Sequence, residues 1–230
     1  GRYRLEVKPQ CLIHRSHEYA VFIGSVTGFA HTHRVERPDR KLLSTGNGTL
    51  DTQTQTVLQN GGFTVTVGRQ FNSFSATELT GMDVVLLMPN NNWNSGDMSL
   101  AAQTALINFV NAGGGLITSE WTNGKVASGS FATLEPILPV VSTTQYTGGS
   151  TITYNLSATD GVLNAGLPST FSFMGDNFAG VESLFAAKNG ATTYYSSSGG
   201  AGGAGVIGWD VGLGRVLQIS TTVGPNQLAD

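Results

Sequence analysis

The run Ser119-Glu120-Trp121 places a hydroxyl, a carboxylate and an indole ring directly after a predicted buried strand. A carboxylate there can act as a general base or a metal ligand, and it can equally accept hydrogen bonds from the backbone of its own turn. Successive strand residues face opposite sides, and no histidine follows His33, so Ser119 as a nucleophile needs a different turn and another base. The candidate catalytic residues are therefore Glu120 and Ser119.

A second polar segment lies between Pro89 and Asp97, and it combines side-chain amides with one tryptophan. Amides and aromatic rings suit the hydroxyls and ring faces of sugars, whereas asparagines also serve simply as turn formers. Under the binding interpretation, the ligand-binding residues are Asn47, Asn91, Asn92, Trp93, Asn94, Asp97, Trp121 and Asp176.

Metal binding has two sets of candidate ligands. The four histidines all precede residue 42, at positions His14, His17, His31 and His33. They could bind Zn²⁺. They could equally be exposed histidines of an extension, because no acidic residue recurs near them at a spacing typical of a metal site. Asp176 and Asp210 could hold Ca²⁺ together with backbone carbonyls, although EF-hand spacing is absent. No cofactor is evident, and Ca²⁺ and Zn²⁺ are the two candidate ions.

The charge distribution separates the first 41 residues from the rest of the chain. The 230 residues carry a net charge of −3, and 40% are hydrophobic, which is enough for a core. Eight of the 12 basic and four of the 15 acidic residues precede residue 42, which leaves four basic and 11 acidic residues and a net charge of −7. This balance does not suggest a nucleic-acid partner, and no apolar run is long enough to span a membrane.

Composition also bears on the compartment. Cys11 is the single cysteine, so no disulfide forms within the chain and no cysteine-based metal cage is available. A weakly charged domain rich in Gly, Thr and Asn is typical of a secreted or cell-envelope protein of bacteria. The oligomeric state cannot be read from these features.

Strands and helices alternate in the first half of the chain. Strands are predicted near residues 41–46, 63–67, 83–88 and 116–119, and Asp83 to Met88 is apolar enough to be buried on both faces. Helices are predicted after Thr49, at Ser75–Glu78 with capping-box form, and from Ser99 to Ala112. This order requires a parallel sheet flanked by helices.

The second half of the chain has strand-like segments without long helices. Segments 150–156 and 191–195 have β-branched and aromatic residues, and 205–209 with 214–220 predicts a hairpin at the edge of a mixed sheet. We interpret residues 1–41 as an atypical N-terminal extension or linker and residues 42–230 as one α/β domain. The chain reaches Asp230 without a closing helix, which is typical of a domain truncated at its C-terminus.

Several of these segments resemble the class I glutamine amidotransferase-like superfamily. They are Asp83-Val-Val-Leu-Leu, the helix from Gln103 to Ala112, and Gly113-Gly-Gly-Leu-Ile-Thr-Ser-Glu-Trp121. Asp160-Gly-Val-Leu-Asn-Ala-Gly-Leu-Pro168 and Gly208-Trp-Asp-Val-Gly-Leu-Gly-Arg-Val216 resemble its trehalose-utilisation-protein-like (ThuA-like) branch. The resemblance covers about residues 41 to 225 and implies a flavodoxin-like, mostly parallel sheet flanked by helices, with a C-terminal β-hairpin extending it.

The catalytic residues implied by the resemblance are absent. Amidotransferases carry a nucleophilic cysteine, and the ThuA-like branch a histidine, at the position of Glu120. The branch has another histidine after the last hairpin strand, where this chain reads Thr221 to Gln227. We therefore expect a non-canonical amidotransferase-like domain that binds a carbohydrate or other small polar ligand. The alternatives are a hydrolase of ester, lactone or glycosidic bonds using Glu120 with or without a metal, and a structural or partner-binding domain.

Overall fold

A computed structural model describes most of the chain from residue 40 onward. The described residues are 40–48, 50, 52–89, 96–147, 151–161, 163–164, 166–174, 182–198 and 203–221. The sequence predictions for the four histidines, Cys11, Thr49, Asn91 to Asn94 and Asp176 lie outside these residues. Within them, none of the helices has the length and apolar character that crossing a membrane would require.

The strands and helices follow the alternation that the sequence predicts for the first half of the chain. The strands are β1 (Arg40–Gly46), β2 (Phe63–Gln70), β3 (Val84–Leu87), β4 (Gly115–Thr118), β5 (Val140–Val141), β6 (Tyr146–Thr147), β7 (Thr151–Leu156), β8 (Thr170–Met174), β9 (Glu182–Ser183), β10 (Ala186–Ala187), β11 (Thr192–Ser197), β12 (Ala204–Val211) and β13 (Gly214–Ile219). The helices are α1 (Thr52–Asn60), α2 (Leu100–Asn111) and α3 (Glu120–Ala127), with 3₁₀ turns at Ala76–Leu79 and Ala132–Ile137.

One nine-stranded sheet organises the fold, in the order β2-β1-β3-β4-β13-β12-β11-β7-β8. The neighbours from β2 to β13 are parallel, and those from β13 to β8 are antiparallel. Helices separate the strands of the parallel half, whereas short connections such as Gly212-Leu213 permit only antiparallel pairing. The sheet is therefore a large mixed one flanked by helices.

The position of the last two strands differs from the prediction. β12 and β13 are antiparallel neighbours, with Val211 opposite Gly214. The predicted place at the sheet edge is wrong, because β13 pairs in parallel with β4 and β12 pairs with β11. A local turn pattern specifies that two strands are adjacent, but it carries no information about which other strands lie beside them.

The core fills both faces of the sheet. On β3, Val85 and Leu87 face a cluster that contains Leu106 of α2, while Val84 and Leu86 face a second cluster that contains Leu58 of α1. This alternation explains why the β3 sequence is continuously apolar, as expected for a strand covered on both sides.

Glycines allow the close approach of α2, β4 and the β12–β13 turn. Gly113 adopts a φ of 113°, which lets the chain turn from α2 into β4. A Cβ on Gly214 would lie 2.2 Å from the carbonyl oxygens of both Gly114 and Val110, so only glycine fits at that position.

Candidate functional site

The β4–α3 junction places Ser119 and Glu120 at the carboxyl edge of the parallel strands. Ser119 has extended backbone (φ −133°, ψ −174°), and α3 begins at the next residue, Glu120. The Thr122 hydroxyl donates to the Leu87 carbonyl at 3.0 Å, which joins the first turn of α3 to the end of β3. Because β3, β4 and β13 are parallel, their carboxyl ends meet at this edge, where open α/β sheets bind their ligands.

Both candidate catalytic residues are enclosed at this edge. Ser119 is 3% exposed and Glu120 is fully buried. The structure ends β4 at Thr118 and encloses the Glu120 side chain at the end of that strand. The cover comes from residues that lie later in the chain and pack over the edge.

The cover is a two-stranded antiparallel ribbon formed by β6 and β9, in which Tyr146 lies opposite Ser183 and Thr147 opposite Glu182. The Ser183 amide donates to the Ser220 carbonyl at 2.7 Å, which joins the ribbon to the end of β13. The Asn123 amide group of α3 donates to Ser183 Oγ at 2.6 Å. The ribbon is therefore hydrogen-bonded to elements on both sides of Glu120.

Glu182 is a second fully buried carboxylate at the same edge. Its Oε1 atom accepts hydrogen bonds from the hydroxyls of Ser197 and Ser220, the latter at 2.8 Å. The Ser220 oxygen lies 2.7 Å from the Tyr154 hydroxyl. Burial raises the pKa of Glu182, and the two hydroxyl hydrogen bonds oppose that rise.

The pKa values of two tyrosines depend on the charges of the buried carboxylates. Burial and the Glu120 charge raise the pKa of Tyr146 to about 12. Burial raises the pKa of Tyr154 well above its usual range; the Ser220 hydrogen bond opposes this, and the charges of Glu182 and Glu120 add to it. Tyr154 thus lies within the electrostatic reach of both carboxylates, and both phenols stay protonated at neutral pH.

Buried polar atoms with unused hydrogen-bonding capacity concentrate at this edge. In the described part of the chain, four such atoms have no hydrogen-bond partner: Asn123 Oδ1, Ser142 Oγ, Tyr146 OH and Glu182 Oε2. They belong to α3, to the ribbon or to the segment that leads into it. Because native proteins leave few buried polar atoms unsatisfied, four in one region mark it as unusual.

The other predicted ligand-binding residues are spread more widely. The half-buried Trp121 ring lies 5.4 Å from the Tyr146 ring at 37°, which puts an aromatic surface beside the ribbon. Asp97 is exposed, and its charge opposes the lowering of the Lys125 pKa that burial causes. Asn47, at the end of β1, bridges to Gln70. The structure therefore gathers Ser119, Glu120 and Trp121 beneath and beside the ribbon.

Four residues of this region were not among those predicted from the sequence, namely Asn123, Tyr146, Glu182 and Ser220. Ser220 carried a usable signal, because it ends the last predicted hairpin strand, directly before the stretch where the ThuA-like branch has a histidine. The two-residue strands β6 and β9 have no periodicity, and so nothing local marked Tyr146 or Glu182.

Asp210, considered above as a calcium ligand, lies at the opposite edge of the sheet. Its Oδ1 accepts from Arg215 Nε at 2.9 Å, and Arg215 pairs with Gly115 at the start of β4. Among the described residues, no group of three or more His, Cys, Asp or Glu side chains could hold a metal ion.

Comparison with known proteins gives matches in structure but not in sequence. No family profile matches the chain, and no curated protein does so either. A cytoplasmic protein of Salmonella typhimurium LT2 aligns with a TM-score of 0.59 at 13% identity over 81% of this chain and 90% of its own. A putative ThuA-like protein of Bacteroides uniformis ATCC 8492 has a TM-score of 0.56 at 11% identity, over 88% of this chain and 89% of its own.

A third solved structure has a similar fold. A putative GMP synthase subunit from Thermoplasma acidophilum aligns with a TM-score of 0.53 at 14% identity, over 81% of this chain and 85% of its own. The chain has an amidotransferase-like fold. At these identities the likeness concerns the fold alone.

Proposed function

We propose that the domain binds a carbohydrate or another small polar ligand at the carboxyl edge of β4 and β13, beneath the β6–β9 ribbon. The observation that carries this proposal is the concentration of buried polar atoms without hydrogen-bond partners among the described residues, which include Asn123 Oδ1, Tyr146 OH and Glu182 Oε2. A hydroxyl-rich ligand both donates and accepts hydrogen bonds, and so it can satisfy acceptors and a phenol together.

The aromatic surface beside these atoms supports the same ligand class. Trp121 and Tyr146 are half-buried neighbours, so each has one part in the protein and one part towards solvent. Aromatic rings with polar groups at their edges are suited to the faces and hydroxyls of sugars. A ligand that contacts both rings would lie within reach of the ribbon.

Access to the site requires the ribbon to move, because Glu120 and Glu182 are fully buried. The ribbon pairs only two residues on each strand, whereas β3 and β4 are joined over four residue pairs. Local opening of a short ribbon costs less free energy than opening the central sheet. We therefore expect the ligand to enter between the ribbon and the carboxyl edge.

Removal of a single hydroxyl tests this proposal. Tyr146→Phe deletes a buried phenol oxygen that has no hydrogen-bond partner among the described residues, so the fold should persist. Tyr194→Phe is the matched control, because Tyr194 lies near Arg215 and Asp160, at the amino end of β4. Titration calorimetry with a panel of neutral mono- and disaccharides should give binding that weakens about tenfold in Tyr146→Phe only. The absence of binding by every member of the panel would argue against a saccharide site.

Hydrolysis of an ester, lactone or glycosidic bond by Glu120 is a second candidate function. It is favoured by the second carboxylate, Glu182, since both carboxylates act on the Tyr154 hydroxyl. Glycosidases work with such pairs, one carboxyl group holding a proton and the other ionised. Turnover that disappears in Glu120→Gln while the fold persists would support hydrolysis. Saccharide binding without turnover would support the binding function and contradict hydrolysis.

A further inference from the structure

We propose that Glu182 carries a proton on Oε2 and donates it to an acceptor oxygen of the ligand, which makes the site selective for uncharged hydroxyl-bearing molecules over carboxylate-bearing ones. This inference rests on the proposed binding function and names its ligand class. It also assigns a role to a residue outside the β4–α3 junction.

The hydrogen bonds of Glu182 determine which oxygen holds the proton. Oε1 accepts from two hydroxyls, those of Ser197 and Ser220, and so its lone pairs are occupied. Oε2 is buried and has no hydrogen-bond partner in the described part of the chain. A protonated Glu182 therefore has its O–H on Oε2, where a ligand that has entered beneath the ribbon can accept it.

The same network sets the direction of the neighbouring hydrogen bonds. Because the Ser220 hydroxyl donates to Glu182, its oxygen accepts from the Tyr154 phenol, which lies 2.7 Å away. The donors thus run from Tyr154 through Ser220 to Glu182 Oε1. Among the described residues, no proton is directed at Oε2.

Burial favours the neutral form of Glu182, which is fully enclosed at this edge. Tyr154, on β7, is joined to Glu182 through Ser220, and its raised pKa keeps it uncharged at neutral pH. Glu120, on α3, is a second carboxylate whose charge acts on the Tyr154 phenol. Burial raises the pKa of Glu182, and the hydrogen bonds from Ser197 and Ser220 oppose that rise without reversing it.

Three of the positive side chains among the described residues are engaged elsewhere. Lys125 donates to the Gly96 carbonyl at 3.2 Å and lies 4.9 Å from the Phe71 ring centroid. Lys188 pairs with Glu135 at 2.7 Å. Arg215 pairs with Asp210 at the opposite edge of the sheet. A ligand carboxylate would therefore meet the Glu120 charge without a compensating cation from these residues, whereas a neutral hydroxyl or ring oxygen would accept from Glu182 without that penalty.

The protonation state can be measured on the unliganded protein. The sequence contains seven glutamates, so selective labelling of glutamate with ¹³C at the side-chain carboxyl gives a spectrum of few resonances. We expect one resonance to titrate above the ordinary value of 4.5, to be missing in Glu182→Gln and to remain in Glu120→Gln. Ser197→Ala, which removes a hydrogen bond to the charged form, should move its midpoint to higher pH. A Glu182 resonance that titrates at or below the ordinary value would overturn the inference.

Ligand selectivity is tested with glucose and glucuronate as probes, which differ by one carboxylate. We expect glucose to bind at least about tenfold more tightly, with wild-type affinity falling as the pH rises through the Glu182 midpoint. Glu182→Gln keeps a donor and should bind glucose without that pH dependence. Equal binding of the two probes would refute the selectivity. If neither probe binds while Glu182 titrates high, the proposed function and the ligand class fail together, but the protonation of Glu182 stands.

Discussion

The Ser220 hydroxyl donates a hydrogen bond of 2.8 Å to Glu182 Oε1, and it thereby joins the end of the last sheet strand to the ribbon that covers the carboxyl edge. Both residues are fully buried. In a region of low dielectric, a hydrogen bond to a carboxyl group stabilises the fold, and the loss of this one leaves Glu182 Oε1 with one hydroxyl donor, that of Ser197, in place of two. The stability of the ribbon should therefore depend on this contact.

Ser220→Ala tests that dependence. The substitution removes a donor to Glu182 and the hydrogen-bond partner of the Tyr154 hydroxyl, so the free energy of unfolding should fall by about 1–3 kcal/mol. Urea denaturation measures the change. Ser73→Ala is the control, because the exposed Ser73 hydroxyl bonds only locally to the Gln70 carbonyl at 3.2 Å. Equal losses in the two variants would contradict a special role for Ser220.

The pH dependence of stability provides a second prediction. Burial raises the pKa of Glu182 above its ordinary value of 4.5, so between those two values the folded protein binds more protons than the unfolded chain does. The resulting stabilisation is present below pH 4.5 and is lost as the pH rises through the folded-state pKa. The free energy of unfolding of the wild type should therefore fall relative to that of Glu182→Gln as the pH rises from 4.5 through the folded-state pKa. Urea midpoints of both proteins at a series of pH values measure this difference. A difference in favour of the wild type that stays constant or grows with pH would contradict the prediction.

The parallel half of the fold is predictable from sequence because each of its elements carries a local signal. The apolar run at Val84–Leu87 indicates a strand buried on both faces, and the helix predicted from Ser99 begins with Ser99 as its N-cap, whose side chain accepts from the Ala102 amide. These signals come from neighbouring residues. They therefore identify the element without knowledge of its partners.

The site is less predictable because it depends on contacts between distant parts of the chain. Glu120 could be placed at the end of β4 from the sequence, but its enclosure follows from the pairing of Tyr146 with Ser183. Two-residue strands show no alternation. The interior position of β13 likewise follows from its pairing with β4, which the turn at Gly212 does not encode.

Lys125 gives a third prediction, concerning the attachment of α3. It is 5% exposed, and its ammonium lies 4.9 Å from the Phe71 ring centroid and 5.9 Å from that of Phe131. Burial lowers the pKa of Lys125, which means that keeping its ammonium group charged costs free energy. Lys125→Met keeps the stem and removes the charge, and the free energy of unfolding should change by less than about 1.5 kcal/mol.

Lys125→Ala is the comparison that separates packing from charge. It removes the stem as well, so it should cost about 2 kcal/mol or more by urea denaturation. If Lys125→Met were as destabilising as Lys125→Ala, the interaction of the ammonium with the rings and with the Gly96 carbonyl, at 3.2 Å, would be the larger contribution. That outcome would contradict the packing interpretation.

The glycine contact beneath β4 yields a fourth prediction. A Cβ on Gly214 would lie 2.2 Å from two backbone carbonyl oxygens, those of Gly114 and Val110, and backbone cannot rotate away as a flexible side chain can. Gly214→Ala should therefore lower the free energy of unfolding by about 2 kcal/mol or more. Gly161→Ala is the control, since a Cβ there meets nothing within 4 Å. Urea denaturation measures both changes, and equal losses in the two variants would contradict a steric conflict at Gly214.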